Sequence, residues 1–170
     1  MTATLGLARH LTPGEIVDQV ARAGRRLVEL GEGKGPRPLT NLVLMGMGEP
    51  LHNYDALRAA LELLLSEDGP NFSHRHVTVS TSGLVPEIRR LGEETEVKLA
   101  VSLNATTDEV RDRIMPVNRT YPIGRLMEAL RHYCDTTGRT VTIEYVMFKD
   151  VNDSLEDVKR LMALLENLPC

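Results

Sequence analysis

A chain of 170 residues with 42% hydrophobic and 26% charged side chains is sized for one packed domain and too polar for a membrane protein. Its net charge of −4, its 4% aromatic content and its lack of Trp argue against a free-standing RNA-binding module, which needs phosphate-neutralising cations or base-stacking rings. No apolar run reaches the roughly 18 residues that cross a bilayer, and Met1 to His10 lacks the order of a secretory signal, so a cytoplasmic location without membrane attachment is expected.

Thr12 is an N-cap signal, with Pro13 at the first helical position and Glu15 completing a capping box. Ile16, Val17, Val20, Ala23, Leu27 and Leu30 follow at three- and four-residue spacing and predict an amphipathic helix, ended by the loop from Gly31 to Pro38. Leu42 to Met45 is continuously apolar, the pattern of a parallel strand covered on both faces, and it runs into Gly46-Met47-Gly48-Glu49-Pro50. Asn53 to Ser66 reads as a helix, His76 to Ser82 as a strand, Val85 to Leu91 as a short helix and Val97 to Leu103 as a strand. Thr107 caps a helix that Pro116 stops, and Tyr121 to Asp135 is a further helix ended by Gly138. Thr140 to Phe148 is β-branched and predicts the fourth strand, and a last helix starts at Asp153/Ser154 and runs to Leu168.

Strands near 41–46, 76–82, 97–103 and 140–148, alternating with helices, predict an α/β fold with a parallel sheet. Four strands do not close a (β/α)₈ barrel. The chain starts on a helix and stops after a Pro turn, so the expectation is a partial core domain, residues 1–170, truncated at both ends.

Parallel sheets bind ligands beyond the carboxyl ends of their strands. The first end offers Gly48 and Glu49, a close backbone approach and an acceptor for an ammonium group. The second offers the hydroxyls of Ser80, Thr81 and Ser82, and the third offers Ser102, Leu103 and Asn104. Such a rim suits a small zwitterion or a nucleoside better than a metal. Each feature also has a plain structural reading: an ordinary strand-to-helix turn, hydroxyls that satisfy loop backbone, an Asn in a turn. His74, Arg75 and His76 precede a strand and read as solvated surface, and Asp108, Glu109, Arg111, Asp112 and Arg113 read mostly as an exposed helix face with i, i+4 pairs. Cys134 and Cys170 lack any ligand spacing, so two free thiols are expected and no metal site is assigned.

Five strings, Leu42 to Leu51, Val77 to Pro86, Leu99 to Asn104, Arg113 to Arg119 and Thr142 to Met147, resemble in order the radical S-adenosylmethionine RNA methyltransferases of the RlmN and Cfr type. The resemblance implies an incomplete parallel (β/α) barrel of four strands with flanking helices. It implies S-adenosylmethionine as cofactor, with Gly48 and Glu49 on the methionine amino group and further contacts at Ser80, Ser102, Leu103 and Asn104, a position where many members carry His. It also implies a [4Fe–4S] cluster held by CxxxCxxC, a motif this chain lacks, although Thr2 to Leu7 resembles the residues after its third cysteine. The catalytic residues of the family have no counterpart here, so no catalytic residue is assigned in this chain.

The implied activity of the parent enzyme is radical methylation of an adenosine, at carbon 2, in large-subunit ribosomal RNA and in transfer RNA, with an electron-donor protein and a monomeric state. Two rival readings stay open: Cfr-like methylation of carbon 8, and a non-catalytic remnant that binds cofactor or RNA. The chain alone is expected to be inactive.

Overall fold

The computed structural model describes residues 7–32, 38–45 and 48–170. Thr2 to Gly6, most of the loop after the first helix, and Gly46 and Met47 lie outside the described residues. The chain forms two compact units, Met1–Val79 and Ser80–Cys170.

In the first unit, helix α1 (Pro13–Glu29) begins with the reciprocal cap its sequence announces. The Thr12 amide donates to Glu15 Oε2 at 2.8 Å, and the Glu15 amide donates to Thr12 Oγ1 at 3.3 Å. Arg9 lies 2.6 Å from the Glu15 carboxylate, and that hydrogen bond, with the Thr12 amide, draws the exposed Glu15 carboxyl down to about 2. Helix α2 (Tyr54–Leu65) buries Tyr54, Leu57, Ala60, Leu61 and Leu64 at helical spacing. Each large apolar side chain so buried contributes roughly 1.5–3 kcal/mol.

Strand β1 (Leu42–Leu44) pairs in parallel with β2 (Val77–Thr81), Leu42 opposite Val77 and Leu44 opposite Val79. Val77 and Val79 are fully buried, yet Val43, between the two leucines, is 54% exposed. The unbroken apolar run therefore does not mark a strand covered on both faces. Its Leu42/Leu44 side is half-buried and its Val43 side is open, since alternate residues of a strand point to opposite faces.

The second unit holds the end of β2, α3 (Val85–Glu94), β3 (Lys98–Ser102), α4 (Asp108–Ile114), α5 (Ile123–Thr137), β4 (Val141–Glu144) and α6 (Leu155–Leu165). The strands are hydrogen-bonded in chain order, β1-β2-β3-β4, and β3 pairs with β4 in parallel, Ala100 opposite Thr142 and Ser102 opposite Glu144. The sheet and its flanking helices make the expected α/β architecture. Helix α3 packs on α5 through Gly92, where a Cβ would come within 3.1 Å of Tyr133 Cδ2. Tyr133 is buried with its hydroxyl donating to the Val97 carbonyl, and burial pushes that phenol up to about 12. Gly138, at φ +66°, takes the left-handed conformation that ends α5.

Two further sequence expectations give way to the structure. The fourth strand ends at Glu144 and does not continue to Phe148. Side-chain amides take the backbone groups that a longer ladder would need: Val146 N donates to Asn104 Oδ1 at 2.9 Å, Asn152 Nδ2 donates to Val146 O at 2.9 Å, and Phe148 N donates to Asn152 Oδ1 at 2.6 Å. Arg111 is also not part of an exposed face; it is 0% exposed.

Candidate functional site

The carboxyl ends of β2, β3 and β4 meet on one carboxylate. Ser80 Oγ donates to Glu144 Oε2 at 3.1 Å, and Ser102 Oγ donates to the same oxygen at 2.9 Å. Ser102 and Glu144 are register partners, so the sheet itself places both on one face. The structure thus brings together two of the hydroxyls read from the sequence, around a glutamate that sequence reasoning saw only inside a string of resemblance. A glutamate in a β-branched run, two residues beyond a threonine on the same face, is the signal that could have found it.

Beneath these hydroxyls, Arg111 fixes the backbone. Its Nε donates to Leu103 O at 2.9 Å, Nη2 to Ser82 O at 2.7 Å and Ser102 O at 3.2 Å, and Nη1 to Asn118 Oδ1 at 3.0 Å. Burial pulls the guanidinium down to about 10, partly offset by Asp108 and Asp112, so it stays charged at neutral pH. One buried fork therefore holds the mouths of β2 and β3 at a set spacing. Gly83 makes room for it: at φ +113°, with a would-be Cβ 3.3 Å from Arg111 Nη2, this turn accepts no side chain without strain.

Leu103 is buried, and its amide donates to Glu144 O at 3.0 Å, which carries the pairing of β3 with β4 one residue past Ser102. Asn104 sits at φ +57°, a left-handed position that Asn tolerates. Its Oδ1 accepts from Val146, its Nδ2 donates to Met115 Sδ at 3.3 Å, and its carbonyl accepts from Asn152 Nδ2 at 2.7 Å. The Asn104 side chain therefore anchors the loop after β4.

In the first unit, Gly48 takes φ +138°, where a Cβ would meet nothing within 4 Å, so glycine is needed for its conformation and not for space. Glu49 Oε1 accepts from Leu51 N at 3.0 Å and starts a 3₁₀ turn, Pro50–Asn53, anchored by the buried Leu51. His74 to His76 form a 3₁₀ turn ahead of β2, with His76 Nδ1 2.9 Å from Asn41 Oδ1.

The radical SAM superfamily profile matches residues 2–165, and the chain belongs to that superfamily. It is 70% identical over 169 residues to the dual-specificity RNA methyltransferase RlmN of Anaeromyxobacter dehalogenans (strain 2CP-C), covering 99% of this chain and 45% of that protein. It is 58% identical over 170 residues to the dual-specificity RNA methyltransferase RlmN 2 of Myxococcus xanthus (strain DK1622), again across 99% of this chain and 45% of the relative. The chain thus spans less than half the length of these curated relatives. Among solved structures, a radical SAM methyltransferase from Sphaerobacter thermophilus matches with a TM-score of 0.92 and 51% identity, over 98% of this chain and 48% of that one.

Membership implies S-adenosylmethionine and a [4Fe–4S] cluster. Within the second unit the residues present are suited to S-adenosylmethionine, since Ser80 and Ser102 bring two hydroxyl oxygens together on Glu144; within the first unit, a Cβ at Gly48 would meet nothing within 4 Å. The residues present do not fit the cluster. Such a cluster is held by several thiolates, whereas this chain has two cysteines, of which Cys134 is buried, its thiol raised by burial and donating to Pro169 O at 3.6 Å. Among the described residues no group of three or more His, Cys, Asp or Glu could hold a metal ion, and no helix is long and apolar enough to cross a membrane.

Proposed function

We propose that the chain, residues 1–170, is the cofactor-binding part of a radical SAM core, and that the protein to which it belongs methylates carbon 2 of one adenosine in large-subunit ribosomal RNA and one in transfer RNA. The observation that carries this reading is 70% identity, across 99% of the chain, to a protein named for dual-specificity RNA methylation. The local geometry is in keeping with it. Gly48 and Glu49 would take the amino group of the cofactor, and Ser80, Ser102, Leu103 and the backbone at Asn104 would line the rest of its site. Bound there, S-adenosylmethionine supplies the group to be transferred. The chain's residues bind and orient it and exclude water from its reactive end.

Cluster ligands and RNA-binding cations would come from other parts of the protein, because the chain has two cysteines and a net charge of −4. On this reading the isolated chain binds cofactor without turning it over, and an electron-donor protein, a monomeric state and the cytoplasm complete the setting. The test is mass analysis of ribosomal and transfer RNA nucleosides from cells in which the complete protein is the sole adenosine methylase of this kind. The expected product is 2-methyladenosine in both RNAs. An 8-methyladenosine product would replace carbon 2 by carbon 8, and unmodified adenosine in both would overturn the reading.

A further inference from the structure

Both serine hydroxyls at the strand ends give their only proton to one oxygen of Glu144, at 3.1 and 2.9 Å. A hydroxyl has one hydrogen and two lone pairs, so a serine whose proton is committed presents only an acceptor to a ligand. A freely rotating serine, by contrast, serves donors and acceptors alike. Ser80 is buried and Ser102 half-buried, which limits the competition from water for either proton. Ser102 is held at its other end as well, its carbonyl accepting from Arg111 Nη2 at 3.2 Å.

We infer that Glu144 is a positioning residue for the cofactor: it turns the Ser80 and Ser102 oxygens into a fixed pair of acceptors, which favours the hydrogen-bond donors of the ligand over its carboxylate. This deepens the cofactor reading given above and rests on it. Because Glu144 acts through the serines, its effect vanishes when they are gone.

The experiment is a double-mutant cycle read by calorimetric titration of S-adenosylmethionine into the full 170-residue chain, with thermal unfolding of each variant recorded alongside. Glu144→Ala is expected to weaken binding about tenfold in the native background, and less than about twofold in the Ser80→Ala/Ser102→Ala background. Glu144→Gln, of equal size and with an oxygen to accept the same protons, is expected to recover most of the affinity and serves the cycle if the alanine variant does not fold. An equal loss in both backgrounds overturns the inference, since Glu144 would then act without the serines. So does unchanged affinity for both Glu144 variants while the native chain binds. Absence of binding by the native chain instead overturns the cofactor reading, and the inference falls with it.

Discussion

At the scale of the residue, the decisive side chain is a buried cation. Arg111 sits in a string of alternating charges, where i, i+4 pairing describes a solvated helix face. Its partners are instead three carbonyls and an asparagine, and carbonyl acceptors leave no mark in a sequence. The serine positions were legible because strand ends of a parallel sheet are where ligands bind; the glutamate that binds both hydroxyls was not, because Ser80 and Glu144 lie 64 residues apart. Removing the fork takes a charge-assisted hydrogen bond from each of four acceptors. Arg111→Ala is expected to lower stability by about 3 kcal/mol in urea unfolding, and Arg111→Lys, a point charge without the planar fork, to recover less than half of that.

At the scale of the element, the caps were legible and the strand ends were not. Thr12/Glu15 and Ser154/Asp157 are local patterns, and both form as reciprocal hydrogen bonds. The end of β4 depends on Asn104, 42 residues from the Val146 amide it accepts from, so a β-branched run overstated the strand. Asp157 does more than cap α6: it accepts from Thr106 at 2.6 Å and from Arg160 at 2.7 Å, tying the loop after β3 to that helix. Hydrogen bonds from Ser154 and Thr106 hold its carboxyl below the usual carboxylate range. With the folded value depressed, the unfolded chain binds more protons, so the stabilisation is complete above about pH 4 and is lost as pH falls towards the folded value. Asp157→Asn is expected to lower the thermal midpoint at pH 7 and to flatten its decline below pH 4, which scans across that range would read.

The contact between α3 and α5 gives a second element-scale test. Alanine in a helix interior normally gains about 1 kcal/mol over glycine. At Gly92 the added methyl would meet Tyr133 at 3.1 Å, with its Cα at 3.4 Å behind it. Gly92→Ala is therefore expected to destabilise by roughly 1–3 kcal/mol, and a stability at or above the native value in chemical denaturation would contradict this packing.

At the scale of the whole molecule, alternation of helix and strand was enough to place the chain among parallel α/β folds, and the strings at the strand ends were enough to point to a family. What composition could not reveal is how the open sheet face is used. Val77 and Val79 of β2 are fully buried while Val43 of β1 stays exposed, and in the second unit Leu155 and Met162 on α6 are 82% and 69% exposed. Apolar surface of that kind is expected where further protein covers it, and the chain spans 45% of the length of its curated relatives.

The claim on which the account turns is that these residues bind S-adenosylmethionine. Equilibrium dialysis of the labelled compound against the 170-residue chain tests it most directly. Saturable uptake is expected, displaced by S-adenosylhomocysteine and weakened about tenfold by Glu49→Gln, which removes the charge proposed to meet the cofactor's ammonium group. Uptake that does not saturate, or saturable uptake indifferent to Glu49→Gln, would contradict the account.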